Sequence, residues 1–257
     1  MDLKELPTRK FARHPWEIVR AEFFLRLLRA RIKCEALDAL DIGSGDGYFA
    51  ERLLAGLPRL AHITCFDLAY DAAWLQGKAT SEARLSFTAT KPEGNYDLVL
   101  MLDVLEHVED DETALHEAAS TFLKPGGTLL LSVPAGQILF SRHDEMLGHK
   151  RRYSPAHLRA LTAKAGLTIV DHGQLFASLL LPRALAKLGE AALGEKRSWT
   201  TEAPRRIETS LGTWNRGRLV TSAVTTALSL DVACCRIASR LHLPFAGLST
   251  WVLAQSP

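Results

Sequence analysis

Leu40-Asp41-Ile42-Gly43-Ser44-Gly45-Asp46-Gly47 is the stretch that decides the fold. Residues 36–42 (ALDALDI) read as a buried strand running into it, and Tyr48 to Ala55 read as a helix leaving it. Glycines at such a junction allow positive φ and let a ligand press against bare backbone. Asp67 closes the next strand, Leu60 to Phe66, 24 residues after Gly43. A carboxylate there is placed to take both hydroxyls of a ribose. A dinucleotide fold would need a third glycine at position 48, where Tyr48 stands, and would not carry an acid two residues before its first glycine, as Asp41 is here.

The rest of the chain extends the pattern. Residues 15–31 read as a helix, with Pro15 in its first turn. Asp71 to Gly77 is a short helix, Arg84 to Thr88 a weak strand, and Tyr96 to Leu102 an apolar strand. A helix over Asp111 to Leu123, a Lys124-Pro-Gly-Gly turn and a strand over Thr128 to Val133 follow. Ser154 caps a helix reaching Ala165, and Leu167 to Phe176 is a strand. Strands alternating with short helices predict a doubly wound, Rossmann-like α/β sheet. Residues 177–247 contain no convincing strand and read as helices broken near Pro182, Gly194 and Pro204, before a last strand at Ser249 to Gln255. The organisation expected is an N-terminal helical cap (1–35), a core (36–176 with 248–257) and a helical insertion between the last two strands (177–247).

Composition narrows the function classes. The chain has 257 residues, 47% hydrophobic and 23% charged, with a net charge of +2, which is globular and too weakly basic for bulk nucleic-acid binding. Cys34, Cys65, Cys234 and Cys235 fit neither a disulfide framework nor a zinc ribbon, so a cytoplasmic home is expected. The segment MDLKELPTRKFARHPWE has no apolar core, so no secretory signal is expected. The longest stretches free of charged residues, 125–141 and 241–257, are broken by proline and glycine and do not read as membrane spans.

Four segments together, LDIGSGDG, the strand end CFD, YDLVLMLDVLEHVED and LKPGG followed by TLLLSVP, resemble the class I S-adenosylmethionine-dependent methyltransferases over roughly residues 36–135. The resemblance implies a seven-stranded sheet with an antiparallel last strand, S-adenosylmethionine as cofactor and S-adenosylhomocysteine as product. It implies that Gly43, Ser44, Gly45 and Gly47 line the methionine part and that Asp41 meets its ammonium. Asp67 would bind the ribose and Leu68 flank the adenine. Thr88 stands at the adenine edge, where the family usually has an acid that this chain lacks. Leu102 and Asp103 would border the methyl group.

Ser141-Arg-His143-Asp144-Glu-Met-Leu-Gly148-His149-Lys-Arg151-Arg152-Tyr153 resembles a subgroup with an H-D-x-x-x-G-H-x-R-R-Y loop after the fifth strand, whose members modify small, often hydrophobic or lipid-linked molecules. That loop lies at the carboxyl edge of the sheet, where ligands sit. His143 and His149 are therefore base candidates, with Asp144 orienting an imidazole; the other reading makes them loop anchors. Arg151 and Arg152 are candidate anion holders, and Tyr153 a hydrogen-bonding or stacking contact. Trp16 and Arg20 on the N-terminal helix and His107 after the fourth strand are candidate substrate contacts. No metal is expected: His143, Asp144 and His149 lack an evident fourth ligand, and the transfer needs none.

In 177–247, ten basic residues face five acidic ones, an excess of five that leaves the remainder of the chain at about −3. Basic, apolar helices suit peripheral contact with the inner face of a membrane or a lipid-like substrate. The same faces suit packing on the sheet or a homodimer contact. DNA methylation signatures are absent: no N-P-P-Y or D-P-P-Y follows the fourth strand, and no Pro-Cys pair occurs. The expected activity is methyl transfer to oxygen of a small or lipid-linked acceptor, using a histidine base. The rivals are a catalytically silent cofactor-binding scaffold and a C- or N-methyltransferase of a soluble metabolite.

Overall fold

A computed structural model describes residues 13–32, 36–78, 82–192 and 214–257. Cys34, the predicted breaks at Gly194 and Pro204, and residues 1–12 of the N-terminal cap lie outside the described residues.

The chain opens with α1 (Pro15–Arg31), entered through His14, whose ring accepts from the Trp16 amide while Glu17 reaches back to the His14 amide. Then come β1 (Leu37–Ile42), α2 (Tyr48–Gly56), β2 (Leu60–Phe66), α3 (Ala72–Gly77), β3 (Leu85–Thr88) and β4 (Tyr96–Leu102). A 3₁₀ turn at Leu105–His107 leads to α4 (Asp111–Glu117), β5 (Leu123–Pro134), α5 (Arg142–Leu147), α6 (Pro155–Lys164) and β6 (Thr168–Leu175). The chain finishes with α7 (Leu180–Ala192), α8 (Gly217–Arg240) and β7 (Ser249–Gln255). The strand order is β3-β2-β1-β4-β5-β7-β6, with β7 antiparallel to both neighbours. This is the seven-stranded mixed sheet that the sequence implied.

Alternate residues of the central strands feed two apolar layers. Leu98 and Leu100 of β4 join Phe24, Leu28, Leu53 and Trp251 on one side; Val99 and Met101 join Leu115, Phe122 and Leu158 on the other. All eleven are nearly or fully buried.

Three local readings change. The predicted helix over 111–123 ends at Glu117 and continues as a wide π turn over Ala118–Phe122. The Lys124-Pro-Gly-Gly turn lies inside β5, because Leu123 already pairs with Tyr96 before a register shift. The loop after the fifth strand contains α5, capped by Ser141 with Asp144 in a reciprocal pair and closed by Gly148 at φ +81°.

Of residues 177–247, the described parts (177–192 and 214–247) carry α7 and α8 between β6 and β7. Helix α8 lies along α1 and β6, burying Leu228, Val232 and Cys235. Asp171 of β6 ties both helices together, accepting from Arg31 at 2.8 Å and from Arg236 at 2.9 Å. Helix α8 is the one described helix long and apolar enough to cross a membrane. Here it packs on the sheet, with Leu219, Leu230 and Ile237 exposed.

Candidate functional site

At the carboxyl ends of β1, β2 and β4 the sequence forces an open loop. Gly43, Gly45 and Gly47 have φ of +66°, +55° and +78°. A Cβ on Gly43 would stand 2.6 Å from Val104 Cγ2, and one on Gly47 would stand 2.7 Å from the Phe87 ring. Both positions therefore require glycine for conformation and for space. Asp67 braces the loop: its carboxylate accepts from the Gly45 amide and from the Ala69 amide, each at 2.9 Å. Tyr70 adds a second brace, donating to the Gly45 carbonyl at 2.6 Å beside the Ser44 hydroxyl at 2.8 Å. Tyr70 also stacks on Trp74 at 3.9 Å. Lys78 donates to the Asp46 carbonyl at 2.8 Å.

A cleft opens over this loop, lined by Glu17, Arg20, Asp41, Ser44, Tyr48 and Leu102 among others. Helix α1 supplies one wall through Glu17, Arg20, Ala21 and Phe24. Asp41 is 3% exposed. Burial, and then the Asp67 and Asp46 charges, push its carboxyl up to about 7, against the opposing pull of Arg20. Arg20 makes an ion pair with Asp103 and lies over the Trp16 ring at 4.5 Å. Asp103 itself holds φ +59°, a strained conformation for aspartate at the end of β4. Leu68 is 82% exposed just after Asp67. Thr88 ends β3 with its hydroxyl turned to that of Thr90 at 2.9 Å.

The segment 141–153 is organised around one buried carboxylate. Asp144 is fully buried and meets His149 Nδ1 at 3.0 Å, Arg152 Nε at 2.8 Å and Arg183 Nη2 at 2.7 Å. Burial would raise its carboxyl, but the His149 and Arg152 hydrogen bonds and the Arg152 charge hold it well below the usual range. His143 is partly buried, and burial, followed by the Arg183 charge, lowers its imidazole, favouring the neutral form.

Other parts of the expected site turn inward. Arg151 donates to the Glu109 carbonyl at 2.7 Å and pairs with Asp111 at 3.2 Å. Arg152 adds a bond to the Ala135 carbonyl at 3.2 Å. Tyr153 is fully buried, donating to Asp111 at 2.7 Å and to the Leu105 carbonyl at 3.1 Å. Arg152 and Tyr153 therefore anchor the loop in the core, where the sequence suggested an anion holder and a hydrogen-bonding or stacking contact; Asp144 anchors it too while meeting His149, as an imidazole-orienting acid would.

One group escaped the sequence reading. Glu106 is fully buried, and both its carboxylate oxygens lack a hydrogen-bond partner. Burial, and then the Asp103 charge, push its carboxyl well above the usual range. Its neighbour His107 packs edge-to-face on His149, with ring centroids 4.7 Å apart. A charged residue in LEHVED reads as surface, so no local signal marked Glu106.

Residues 11–172 match a protein family described as "Methyltransferase domain". The chain is 29% identical over 170 residues to the "Ubiquinone biosynthesis O-methyltransferase" of Xanthomonas axonopodis pv. citri, covering 57% of this chain and 69% of that protein. It is 32% identical over 119 residues to the Marinobacter nauticus protein of the same name, covering 42% of this chain and 48% of that one. Among solved structures, coclaurine N-methyltransferase bound to N-methylheliamine and SAH is similar at a TM-score of 0.54 and 16% identity, covering 92% of this chain and 72% of that one. An S-adenosylmethionine-dependent methyltransferase from Mesorhizobium loti is similar at 0.52 and 15%, covering 91% and 97%. The two structures share its fold.

Proposed function

The chain belongs to the methyltransferase-domain family, and from that membership we propose that it moves the methyl group of S-adenosylmethionine to a hydroxyl oxygen of a hydrophobic or lipid-linked acceptor. The observation that carries the cofactor reading is the left-handed glycine loop braced by Asp67, with buried Asp41 in the cleft above it. Bare backbone between two acids fits a ligand bearing an ammonium, a sulfonium and a ribose.

When bound, the cofactor supplies a methyl group already activated on sulfur. The chain must position it and exclude water. Gly43, Ser44, Gly45 and Gly47 hold the methionine arm, and Asp41 takes its ammonium. Asp67 takes the ribose hydroxyls, its carboxylate already fixed by two amides. Leu68 offers an exposed apolar face to the adenine, and Thr88 stands at its edge. Leu102 and Asp103 border the transferred methyl. Trp16, Arg20 and His107 face the acceptor side.

Transfer to oxygen releases a proton. His143, kept neutral by burial and Arg183, would be the base that receives it. His149 is the imidazole that Asp144 orients. The names of the relatives support oxygen as the acceptor atom.

The acceptor class rests on α7. Leu181, Leu185 and Leu188 are each more than half exposed and share one helix face, while Arg183 and Lys187 bind Ser141 and the Ile138 carbonyl. An apolar stripe on a basic helix supports a lipid-linked acceptor met at the cytoplasmic surface of a membrane.

The test is mass spectrometry of a host lipid extract incubated with the protein and methyl-deuterated S-adenosylmethionine. A labelled O-methyl lipid is expected. The Asp67→Ala variant should lose S-adenosylhomocysteine affinity by about 100-fold, since a bidentate ribose contact and the loop brace vanish together. An N- or C-methyl product would overturn the oxygen assignment. Intact cofactor binding with no labelled product would favour a silent scaffold.

A further inference from the structure

We propose that Glu106, His107 and His149 bind a divalent first-row metal cation at the carboxyl end of β4, beside the proposed acceptor site. One ligand atom from each of the three lies within 4.8 Å of the others. The sequence alone points to no metal, with His143, Asp144 and His149 lacking an evident fourth ligand. The fold assembles a different trio, drawn from two segments that a short bond joins, the Lys150 amide to the Glu106 carbonyl at 2.6 Å.

Two independent observations point to a cation. The first is the Glu106 carboxylate, fully buried with neither oxygen hydrogen-bonded. A buried carboxylate left so is costly unless a positive charge meets it or it holds a proton. The second is the orientation of His149. Asp144 holds its Nδ1 at 3.0 Å, which leaves Nε2 as the nitrogen it can present. Metal-bound histidines characteristically have their second nitrogen fixed by a carboxylate, which sets ring orientation and raises ligand basicity. Asp144 is itself locked by Arg152 and Arg183, so that arrangement is rigid.

The donor set fits the ion class. Two imidazoles and one carboxylate are the ligands of catalytic zinc sites that keep a position open, and they also suit iron, cobalt or manganese. Ligand bonds of about 2.0–2.2 Å would require the three atoms to close by roughly 1 Å, within reach of side-chain rotation. The open position would take the acceptor oxygen. Coordination lowers the pKa of that hydroxyl, so its proton passes to His143 more readily and the oxygen attacks the methyl carbon as an anion. This last role rests on the proposed methyl transfer; the binding of the cation does not.

The experiment is a cobalt(II) titration of the chelator-treated full chain, followed by visible absorption and calorimetry, with S-adenosylhomocysteine binding measured on the same samples. Wild type should bind one equivalent with a ligand-field spectrum. Glu106→Gln and His107→Ala should bind it about 100-fold more weakly or not at all, since each removes a direct ligand. Cobalt should raise the melting temperature of wild type and leave that of Glu106→Gln unmoved. The metal-free Glu106→Gln protein should be at least as stable as metal-free wild type, because a buried unpaired carboxylate has gone, so its lost affinity cannot be misfolding. Equal cobalt affinity in all three proteins, or none in a wild type that binds S-adenosylhomocysteine, overturns the metal site and leaves the methyl-transfer reading standing. Site-dependent cobalt binding without S-adenosylhomocysteine binding supports the metal site and overturns the other.

Discussion

Asp41 would couple cofactor binding in the proposed cleft to pH. Its carboxyl titrates near 7 in the fold, above the ordinary aspartate value. The folded chain therefore holds a proton that the unfolded chain releases, and the associated stability is lost as pH rises from about 4 through 7. An ammonium beside Asp41 favours the ionised form. Cofactor affinity measured by calorimetry should thus be about tenfold weaker at pH 6 than at pH 8, and Asp41→Asn should flatten that dependence. Gly43→Ala should cost about 1–3 kcal/mol in urea unfolding and abolish cofactor binding, because the new methyl meets Val104 at a disfavoured φ. The glycines were legible in the sequence because a left-handed backbone with no room for a Cβ demands that residue type at those positions. Glu106 and Tyr153 were not, because burial is decided by what packs over them from residues more than forty positions away. Across 141–153 the sequence names the residues, but it does not separate the side chains that turn inward, Asp144, Arg152 and Tyr153, from the others.

Helix α7 is held to the site by charge. Its Arg183 donates to Ser141 and to buried Asp144, each at 2.7 Å, so the helix and the segment bearing His143 move together. Arg183→Ala leaves Asp144 with Arg152 and His149, so the cost should be about 1–3 kcal/mol. Hydrogen exchange should rise across 180–192, and turnover should fall while S-adenosylhomocysteine affinity stays within about threefold. The strands and most helices were visible from periodicity. The short α5 was not, since six residues give too little pattern and its capping pair emerges only when Asp144 folds back on Ser141. The π turn after α4 and the early start of β5 depend on pairing with β4, which no local signal encodes.

At the scale of the whole molecule, the seven strands and the antiparallel last one followed from the resemblance, while the order β3-β2-β1-β4-β5-β7-β6 is visible only in the fold. Helix α8 buries one side on α1 and β6 and leaves Leu219, Leu230 and Ile237 outside. Its sequence supports both packing and exposure, and only the partner helix decides which face goes where. The apolar stripe of α7 belongs to this scale because it presents the molecule to its surroundings. Leu185→Asp should reduce co-sedimentation with anionic lipid vesicles by about tenfold, the loss of one buried leucine side chain, while leaving turnover of a short-chain acceptor unchanged. Equal sedimentation would assign the stripe to another copy of the chain or to its own packing. The order of the strands carries one last consequence. Edge strand β6 bonds only to β7, and β7 is made after both long helices. A nascent chain leaving the ribosome can dock the strands up to β5 in sequence, yet it must carry β6 unpaired until residues 249–255 emerge. Chaperone demand during synthesis should therefore peak between those two points, and Trp251 sliding beneath α1 is the event that ends it.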